Sequence, residues 1–568
     1  MSGHTGTERP RPALAVRGLT VTLRAAGERR PVVDDLNLDL PAGRITGLVG
    51  ASGSGKTLTA LALMGLTDPG AFAVRMTTLA LGEERIDTRA RHALRALRGR
   101  RIAMVFQDPA TALDPVMTIG SQLARTLRRL AGVRGPAARR RACDALASVG
   151  FEDPDSMLRR YPHELSGGMR QRCAIAMAQA VRPNVLIADE PTTALDPITQ
   201  EGVLRELERL ATESDIAVLL ISHDLRLMAR YADDVHVMQQ GRIVERTSGR
   251  RLHRNPAHPY TAELIAALPR IEGTAPRTAA ADERQDGTRT EPALLSLRDL
   301  RVAYPRPGPW PGSRRGRVEA VRGVSLQLHR GQVHGLAGAS GCGKSTLARA
   351  LIQLVPTTGG SVRLEGRELV GADRALLAEA RRRIQLVFQD PGAALSPRRS
   401  VAQTLFEAAR HFGLPAERDR LVHALEAVQL DATALERLPS QFSSGQRQRI
   451  AIARALICEP DLLVADEALA SLDVHVQARI LRLLRGLRDE RGLSILLISH
   501  DLAVLRENAD VISVMLAGEC VETAAAARLF AGPDHPYSRR LVAAVPRLDR
   551  ADGRRPRPSP LTSDPPIA

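Results

Sequence analysis

Apolar and polar positions alternate along the chain in short blocks. Two apolar runs, Ile45–Val49 and residues 333–337, each precede a glycine-rich polar loop and then an amphipathic run, at 58–66 and 346–354. This order predicts strand, loop and helix at two places. Further apolar runs at 216–221 and 495–498 have strand length, and none approaches the roughly 20 residues that span a bilayer. Short strands alternating with helical stretches predict α/β domains, each with a mostly parallel sheet covered by helices.

The same segments occur twice, in the same order. The first half carries VFQDP, LSGGMRQR, ADEPTTALD, LISHDL and PAHPYT; the second carries VFQDP, FSSGQRQR, ADEALASLD, LISHDL and PDHPYS. Two homologous domains are therefore expected. We predict a flexible N-terminus at 1–11, domain 1 at 12–270, a polar linker at 271–293, domain 2 at 294–550 and a disordered tail at 551–568.

Lysine occurs at only two of the 80 Lys and Arg positions, Lys56 in GASGSGKT and Lys344 in GASGCGKS. Because arginine is a wide fork and lysine a compact point charge, a chain this rich in arginine should keep lysine where arginine does not fit. Glycine-rich loops of this form wrap backbone N–H groups around phosphates, with the lysine on the β- and γ-phosphates and the next hydroxyl on Mg²⁺. The predicted ATP-binding residues of the loops are Gly50, Ser52, Gly53, Ser54, Gly55, Lys56, Thr57, Gly338, Ser340, Gly341, Cys342, Gly343, Lys344 and Ser345.

Acidic pairs end a second apolar strand in each half. Asp189 and Asp466 come at the carboxyl end of the strand, where a Mg²⁺ ion would lie, and Glu190 and Glu467 follow directly. We expect these glutamates to orient or deprotonate the attacking water. A solvated turn is the alternative, and the recurrence of the pair beside a lysine loop in both halves disfavours it.

Histidine, glutamine and a small polar run complete the pattern. His223 and His500 end a third strand and are expected to contact the γ-phosphate, while Gln107 and Gln389 follow another strand and are expected to touch Mg²⁺ or water. The small polar runs at the start of the LSGGMRQR and FSSGQRQR segments open a helix. A helix N-terminus flanked by serine and glycine binds anions, although an ordinary helix cap would have the same residues.

Charge and cysteine content narrow the function. The net charge is +17 with a pI near 10.8, but aromatic residues make up only 2%, so stacking platforms for nucleic acid are scarce and no nucleic-acid partner is expected. Five cysteines are scattered without a CxxC pair, so neither a zinc nor an iron–sulfur site is expected.

These elements in this order resemble the nucleotide-binding subunits of ABC transporters. The resemblance implies tandem P-loop NTPase domains of the ABC ATPase type, each with a mostly parallel core sheet, an antiparallel β part and a helical subdomain. It also implies that the two domains pair head to tail, with ATP and Mg²⁺ between the lysine loop of one and the signature of the other. Asp196 and Asp473 resemble the loops that signal between such sites.

The resemblance implies two composite sites, each built from both halves. One joins Lys56, Thr57, Gln107, Asp189, Glu190 and His223 to Ser443, Ser444 and Gly445. The other joins Lys344, Ser345, Gln389, Asp466, Glu467 and His500 to Ser166, Gly167 and Gly168. The Mg²⁺ ligands implied are Thr57, Gln107, Asp189, Ser345, Gln389 and Asp466.

More narrowly, the chain resembles the ATPases of dipeptide, oligopeptide and nickel importers, with two usually separate subunits fused. The features that carry this are FQDPxxxL, the LSGGMRQR signature and the HPYT and HPYS segments. The resemblance implies two transmembrane permease subunits, an extracellular or periplasmic solute-binding protein, and a peripheral position on the cytoplasmic face of the cell membrane. Alternatives are a soluble tandem ABC ATPase acting on the ribosome or nucleic acid, and the ATPase of an ABC exporter.

Two departures from the family pattern fall on one composite site. Ser444 replaces the first glycine of the usual SGG signature, and Leu23 stands where the second half has Tyr304, the aromatic residue expected to stack on adenine. Both belong to the site that contains Lys56. We therefore expect this site to bind or turn over ATP less well than the site that contains Lys344.

Overall fold

The computed structural model describes residues 12–25, 28–88, 91–108, 112–193, 195–269, 292–307, 314–388, 391–469 and 472–548. These residues form two compact units: the first comprises the described residues up to Ala266 together with 546–548, and the second runs from Ala267 to Val545. The predicted N-terminus at 1–11, the predicted tail at 551–568 and the predicted linker at 271–293, apart from residues 292 and 293, lie outside the described residues.

The first unit contains strands and helices in alternation. Its strands are β1 (Pro12–Ala25), β2 (Glu28–Pro41), β3 (Ile45–Val49), β4 (Phe72–Arg75), β5 (Thr78–Leu81), β6 (Glu84–Arg85), β7 (Ile102–Val105), β8 (Val185–Asp189), β9 (Ala217–Ser222), β10 (Asp234–Gln239) and β11 (Arg242–Ser248). Its helices are α1 (Lys56–Leu63), α2 (Arg91–Leu97), α3 (Ile119–Thr126), α4 (Gly135–Ser148), α5 (Pro154–Arg159), α6 (Gly167–Gln179), α7 (Pro197–Ser214), α8 (Leu225–Tyr231) and α9 (Pro259–Ala266).

The second unit repeats this order. Its strands are β12 (Leu295–Pro307), β13 (Arg314–Leu328), β14 (Val333–Gly338), β15 (Gly359–Leu364), β16 (Arg367–Glu368), β17 (Ile384–Val387), β18 (Leu462–Asp466), β19 (Ser494–Ile498), β20 (Val511–Leu516) and β21 (Glu519–Ala525). Its helices are α10 (Lys344–Leu351), α11 (Arg374–Arg383), α12 (Pro391–Ala394), α13 (Val401–His411), α14 (Arg418–Ala427), α15 (Ser444–Leu456), α16 (Val474–Arg491), α17 (Leu502–Asn508), α18 (Ala526–Ala531) and α19 (Pro536–Ala543).

Each unit has two sheets. In the first unit, the six-stranded sheet has the order β11-β10-β3-β9-β8-β7, parallel except for β11. The other sheet is antiparallel, with the order β2-β1-β5-β6 and β4 also beside β1. The second unit has a six-stranded sheet in the order β17-β18-β19-β14-β20-β21 and an antiparallel sheet in the order β13-β12-β15-β16. The predicted mostly parallel core sheet with an antiparallel part is confirmed.

One buried apolar cluster joins the two sheets of each unit. In the first unit, Leu19 of β1, Leu48 of β3, Leu63 of α1 and Ile221 of β9 are all buried in it. The equivalent cluster of the second unit contains the residues at matching positions, including Leu336 of β14. Because strands of a parallel sheet all end at the same edge, this core fixes the loops after β3, β7, β8 and β9 beside one another.

The helices after the lysine loops begin and end earlier than predicted. The apolar pattern predicted helices over 58–66 and 346–354, whereas α1 spans Lys56–Leu63 and α10 spans Lys344–Leu351. The first turn is polar, so periodicity misses it. The end is set by the left-handed backbone of Gly65 and Gln353, with φ of 60° and 51°, a conformation that closes helices.

Helices α3 to α6 lie in sequence between β7 and β8, and α13 to α15 lie between β17 and β18. In both units these helices pack against one another, α4 on α6 and α14 on α15 among them, as expected for the helical subdomains. Across the residues that the structure describes, no helix is both long and apolar enough to cross a membrane.

Candidate functional site

The two lysine loops follow β3 and β14 at the carboxyl edge of each six-stranded sheet. Gly55 and Gly343, directly before the lysines, have φ of 105° and 106°, in the left-handed region that favours glycine. A Cβ on Gly50 would lie 2.1 Å from the Met238 carbonyl oxygen, and one on Gly338 would lie 2.4 Å from the matching methionine carbonyl. Both loops therefore need glycine, and a loop of this curvature directs backbone N–H groups toward an anion.

Both lysines are buried inside their loops. Lys56 Nζ donates hydrogen bonds to the carbonyl oxygens of Gly50 at 2.8 Å and Ala51 at 2.9 Å. Lys344 Nζ makes the matching pair of contacts, both at 2.8 Å. The side chains are only 6% and 4% exposed. A planar guanidinium would not fit the same curl, because its five donors spread over a wider head than an ammonium.

A hydroxyl and a carboxylate meet beside each loop. Thr57 Oγ1 donates to Asp189 Oδ1 at 3.3 Å, and Ser345 Oγ donates to Asp466 Oδ1 at 2.9 Å. Burial raises the pKa of Asp189 to about 6, despite the hydrogen bond from Thr57, and burial also raises the pKa of Asp466. Buried carboxylates of this kind gain from a nearby cation, which would favour their ionised form.

The glutamate after each aspartate has a strained backbone. Glu190 and Glu467 have φ of 46° and 47°, a region that non-glycine residues seldom adopt and that recurs at functional sites. In the first unit, Glu190 Oε2 accepts hydrogen bonds from Gln107 Nε2 at 3.0 Å and from Thr193 Oγ1 at 2.9 Å, while His223 Nδ1 lies 3.3 Å from Oε1. The structure thus brings three predicted residues together, plus Thr193, which the sequence did not single out.

The second unit repeats the glutamate and histidine pair. His500 Nδ1 lies 3.6 Å from Glu467 Oε2, and Lys344 Nζ lies 3.8 Å from Glu467 Oε1. The predicted Gln389 lies outside the described residues. Lysine loop, glutamate and histidine therefore meet at one place in this unit as well.

The histidines help to keep the glutamates ionised. Burial alone would raise the pKa of Glu190, but the hydrogen bond and charge of His223, with the bond from Thr193, hold it below its ordinary value. Burial lowers the pKa of His223, yet its hydrogen bond to Glu190 leaves that pKa above its ordinary value. Burial likewise acts against ionised Glu467, and His500 and Lys344 outweigh it, so its pKa also lies below the ordinary value. Both glutamates are therefore carboxylates at neutral pH.

The signature segments form helix N-termini. Ser166 caps α6, its Oγ accepting from Met169 N at 3.3 Å, and Ser443 caps α15 in the same way, accepting from Gln446 N at 3.3 Å. The predicted signature residues occupy these caps and first turns: Ser166, Gly167, Gly168, Ser443, Ser444 and Gly445. Helix starts of this kind favour an anion. The pairing of each signature with the lysine loop of the other unit stays a prediction.

The residues at the two expected adenine positions differ in character. Tyr304 lies on β12 with 37% of its surface exposed, so its ring is accessible for stacking. Leu23 occupies the matching place on β1, directly opposite Phe72 of β4 in the strand register.

Asp196 and Asp473 cap α7 and α16.

Two tyrosines contact the lysine loops and were not predicted as site residues. Tyr260 Oη accepts a hydrogen bond from Ala51 N at 3.0 Å, and Tyr537 Oη accepts one from Ala339 N at 3.1 Å. They belong to the HPY segments, which in the sequence alone served only to narrow the family. The signal that could have found them is their matched position in both halves.

Comparison with known proteins gives a family match over both halves. The ABC transporter family matches residues 33–193 and 321–470, which contain the lysine loops and acidic pairs. The oligopeptide/dipeptide transporter C-terminal region matches residues 244–292 and 521–566, which contain the HPY segments.

Individual relatives extend over nearly the whole chain. The glutathione import ATP-binding protein GsiA of Salmonella paratyphi A is 39% identical, covering 98% of this chain and 92% of the relative. The peptidoglycan transport ATP-binding protein YejF of Agrobacterium fabrum is 39% identical, covering 95% of this chain and 98% of the relative. A solved dimeric ATP-binding cassette in a post-hydrolysis state, bound to ADP and Pi, is 26% identical over 41% of this chain and 99% of its own, with a TM-score of 0.38.

The match to the ABC transporter family in both halves, with the import ATP-binding relatives, confirms the expected fold class and ATPase activity. The alternative of a soluble tandem ATPase acting on the ribosome or nucleic acid is not favoured, because the similar proteins are import and transport ATP-binding proteins. The chain belongs to the ABC transporter family, as an ATP-hydrolysing importer subunit with two ABC domains in one polypeptide.

Proposed function

We propose that this chain binds ATP and Mg²⁺ at two composite sites and uses hydrolysis to drive uptake of a peptide-like solute. The observation that carries the proposal is the duplicated cluster at the carboxyl edge of each core sheet. A buried lysine, a hydroxyl–carboxylate pair and a glutamate–histidine pair meet there in both units.

The residues beside the loops fit a magnesium ion. Within the described ranges no group of three or more His, Cys, Asp or Glu is placed to hold a metal. A single carboxylate with a hydroxyl suits Mg²⁺, which keeps several waters and takes further oxygens from substrate phosphates. Bound there, Mg²⁺ would neutralise charge on the β- and γ-phosphates. Its ligands would be Thr57, Asp189 and Gln107 in the first unit, and Ser345, Asp466 and Gln389 in the second.

Hydrolysis requires a water molecule to attack the γ-phosphorus in line with the bond to the β-phosphate oxygen, which breaks. Ionised Glu190 or Glu467 would hold this water and accept its proton. His223 or His500, already beside the glutamate, would fix the carboxylate and contact the γ-phosphate. Lys56 or Lys344 would stabilise negative charge on the β- and γ-phosphates as the bond breaks.

Each site would be completed by the signature of the other unit. Ser443, Ser444 and Gly445 would close over the loop of Lys56, and Ser166, Gly167 and Gly168 over that of Lys344. Closure around ATP would draw the units together, and hydrolysis would release them. This motion is the output that a membrane partner would use.

The family match supports a proposal for the partners and the cargo. We propose two transmembrane permease subunits gripped by the helical subdomains, an extracellular or periplasmic solute-binding protein, and a peripheral position on the cytoplasmic face of the membrane. The similar proteins carry glutathione and peptidoglycan in their names, and the matched C-terminal region belongs to oligopeptide and dipeptide transporters. A short peptide or a glutathione-like solute is therefore the proposed cargo class.

Substitution of the catalytic glutamate tests the reaction. In the full chain, Glu467→Gln should lower ATP turnover by about 10²- to 10⁴-fold, because the general base is lost, while ATP binding persists in a closed state. The measurement is phosphate release together with retention of labelled ATP. Glu436→Gln, an exposed glutamate of the same unit, is the matched control and should leave turnover unchanged. Wild-type turnover without trapped ATP in Glu467→Gln would contradict the proposal.

The cargo class is tested through the membrane partners. Membrane proteins that co-purify with the chain should include two permeases, and the solute-binding protein that docks on them should bind glutathione or short peptides. Binding of a sugar or an inorganic anion by that receptor, with no affinity for peptides, would contradict the proposed cargo.

A further inference from the structure

We propose that Tyr260 and Tyr537 are positioning residues for the phosphate-binding loops, so that the C-terminal segment of each unit is a working part of its ATP site. The inference rests on the proposed function. It gives the HPY segments a physical role, because they hold the loop that in turn holds the lysine.

The contact reaches the loop at its first residue after the opening glycine. Tyr260 Oη accepts from Ala51 N at 3.0 Å, and Tyr537 Oη accepts from Ala339 N at 3.1 Å. Each pair is about two hundred residues apart in sequence, yet the two units reproduce the same atoms at nearly the same distance. The loop N–H is partly buried and needs an acceptor, and here a side chain from a distant segment provides it.

The alanine held by the tyrosine is one of the two loop residues whose carbonyl oxygens bind the lysine. The Ala51 carbonyl oxygen accepts from Lys56 Nζ at 2.9 Å and from Ser54 N at 3.2 Å. The Ala339 carbonyl oxygen accepts from Lys344 Nζ at 2.8 Å in the same way. The tyrosine therefore holds one side of this alanine while the lysine uses the other. A shift of the alanine would move the ammonium relative to the phosphates.

The tyrosine is itself held rigidly. His258 Nδ1 accepts from Tyr260 N at 3.2 Å, and the Glu245 carboxylate accepts from Ala257 N and His258 N, both at 3.0 Å. This fixes the turn that begins α9. In the second unit His535 and Glu522 make the same contacts, with Tyr537 N, Asp534 N and His535 N at 3.2, 2.8 and 3.0 Å.

Through these contacts the loop is connected to two strands of its own sheet. Glu245 lies on β11, β11 pairs with β10, and β10 pairs with β3, the strand that leads into the loop. The loop is thus anchored at its start by β3 and, through Tyr260 and Glu245, by the outermost strand of the same sheet. Any force that displaces the turn before α9 or α19 would be transmitted to the lysine.

The test removes only the hydroxyl. Tyr260→Phe and Tyr537→Phe are made singly and together in the full chain, with Tyr161→Phe as the matched control, since Tyr161 is an exposed tyrosine of the first unit outside the site. We expect each site variant to raise the Kd for ATP of its own site about threefold to tenfold, because one loop hydrogen bond is lost, and the overall KM should rise most in Tyr537→Phe. The kcat should change less than about twofold and the Tm without nucleotide less than about 2 °C, because the ring packing remains.

A second measurement examines the loop directly. Hydrogen–deuterium exchange of peptides that contain Ala51 or Ala339 should be faster in the corresponding phenylalanine variant, and unchanged in Tyr161→Phe. Unchanged Kd and unchanged exchange would overturn the inference. A raised Kd that tracks a lowered Tm would also overturn it, since that describes a structural tyrosine. If Lys344→Ala does not weaken ATP binding, the proposed function fails; if it does and the phenylalanine variants bind normally, only this inference fails.

Discussion

The two units place the same chemistry on the same scaffold but surround it differently. The lysine contacts, the strained glutamates and the hydroxyl–carboxylate pairs are duplicated almost atom for atom. The surroundings diverge: the first unit has Leu23 where the second has Tyr304, and Thr193, which donates to Glu190, is replaced by Ala470 in the second half. Within this chain the lysine, glutamate, histidine and hydroxyl–carboxylate contacts recur in both units, whereas the residues around them differ.

Two of the differences between the units, Leu23 and Ser444, belong to the proposed site that contains Lys56. Under the proposed pairing, this site combines Leu23 with the Ser444 signature, while the site that contains Lys344 combines Tyr304 with the full SGG signature. A site that lacks both an aromatic platform and a glycine at a tight phosphate contact should bind ATP less well. The units would then be unequal partners, one holding nucleotide firmly and the other weakly.

The largest expected effect comes from removing the lysines. Lys344→Ala should weaken high-affinity ATP binding about 10- to 100-fold, because a charge-assisted contact to phosphate is lost. Lys56→Ala should change the same measurement far less, since its site contributes little to tight binding. Equilibrium binding of ATP to each full-length variant is the measurement. Arg418→Ala, an exposed cation of the second unit, serves as control. An equal loss of ATP affinity in the two lysine variants would contradict the proposed inequality of the two sites.

An intermediate effect is expected from exchanging the adenine residues. Leu23→Tyr should tighten ATP binding at the first site, and Tyr304→Leu should loosen it at the second, each by about twofold to tenfold, the strength of one aromatic contact. A tyrosine at position 23 would also face Phe72 across the strands, a favourable pair. Site-resolved ATP affinities check the prediction. Loss of affinity in Leu23→Tyr would show that this position does not face the base.

A further difference between the units, which affects stability rather than ATP binding, concerns one buried histidine in each. In the first unit the histidine is His236 of β10, and the matching position of the second unit holds Ser513. In the second unit it is His334 of β14, and the matching position of the first unit holds Thr46. Burial lowers the pKa of each to about 4, and the nearby Arg246 and His329, respectively, act in the same direction. Unfolded histidine has a pKa near 6.5. Between about pH 6.5 and 4 the unfolded chain binds more protons, so the free energy of unfolding falls as the pH falls.

Each histidine should therefore cost up to about 1.4 kcal/mol of stability for every pH unit below 6.5. Replacing His334 by the residue of the other unit, His334→Thr, should flatten the decline in Tm of the second unit between pH 6.5 and 5. Calorimetry at several pH values measures this slope. His423→Thr, an exposed histidine, should leave it unchanged. An unchanged slope in His334→Thr would mean that other groups dominate the acid sensitivity.

Much of the fold followed from local patterns in the sequence. The glycine-rich loops after apolar strands predicted the order of strand, loop and helix around Lys56 and Lys344, because loop and helix geometry are set by neighbouring residues. The acidic pairs and histidines could be placed at strand ends, and parallel strands then bring those ends together. The exact helix bounds could not be predicted, because polar first turns hide the start and left-handed residues such as Gly65 set the end.

Contacts between distant segments were beyond local patterns. Nothing in periodicity connects Tyr260 to Ala51, or Thr193 to the glutamate that it contacts, because such contacts depend on how strands are ordered in the sheet. The burial of His236 on β10 and of His334 on β14 could not be predicted either, since each residue alone resembles any other residue of a buried strand. Repetition within the chain was the one long-range signal available, and it identified the HPY segments without revealing what they contact.

The burial of the two lysines has a consequence for the covalent chemistry of the chain. Every lysine side chain of this protein lies within a phosphate loop, and both are folded inward. A lysine-specific protease would have only these two bonds to cut, and reagents that acylate side-chain amines would have only these two targets. Acylation of either lysine side chain and loss of nucleotide binding at its loop would then be one event. The rate of lysine labelling would therefore measure how often each loop exposes its lysine to solvent.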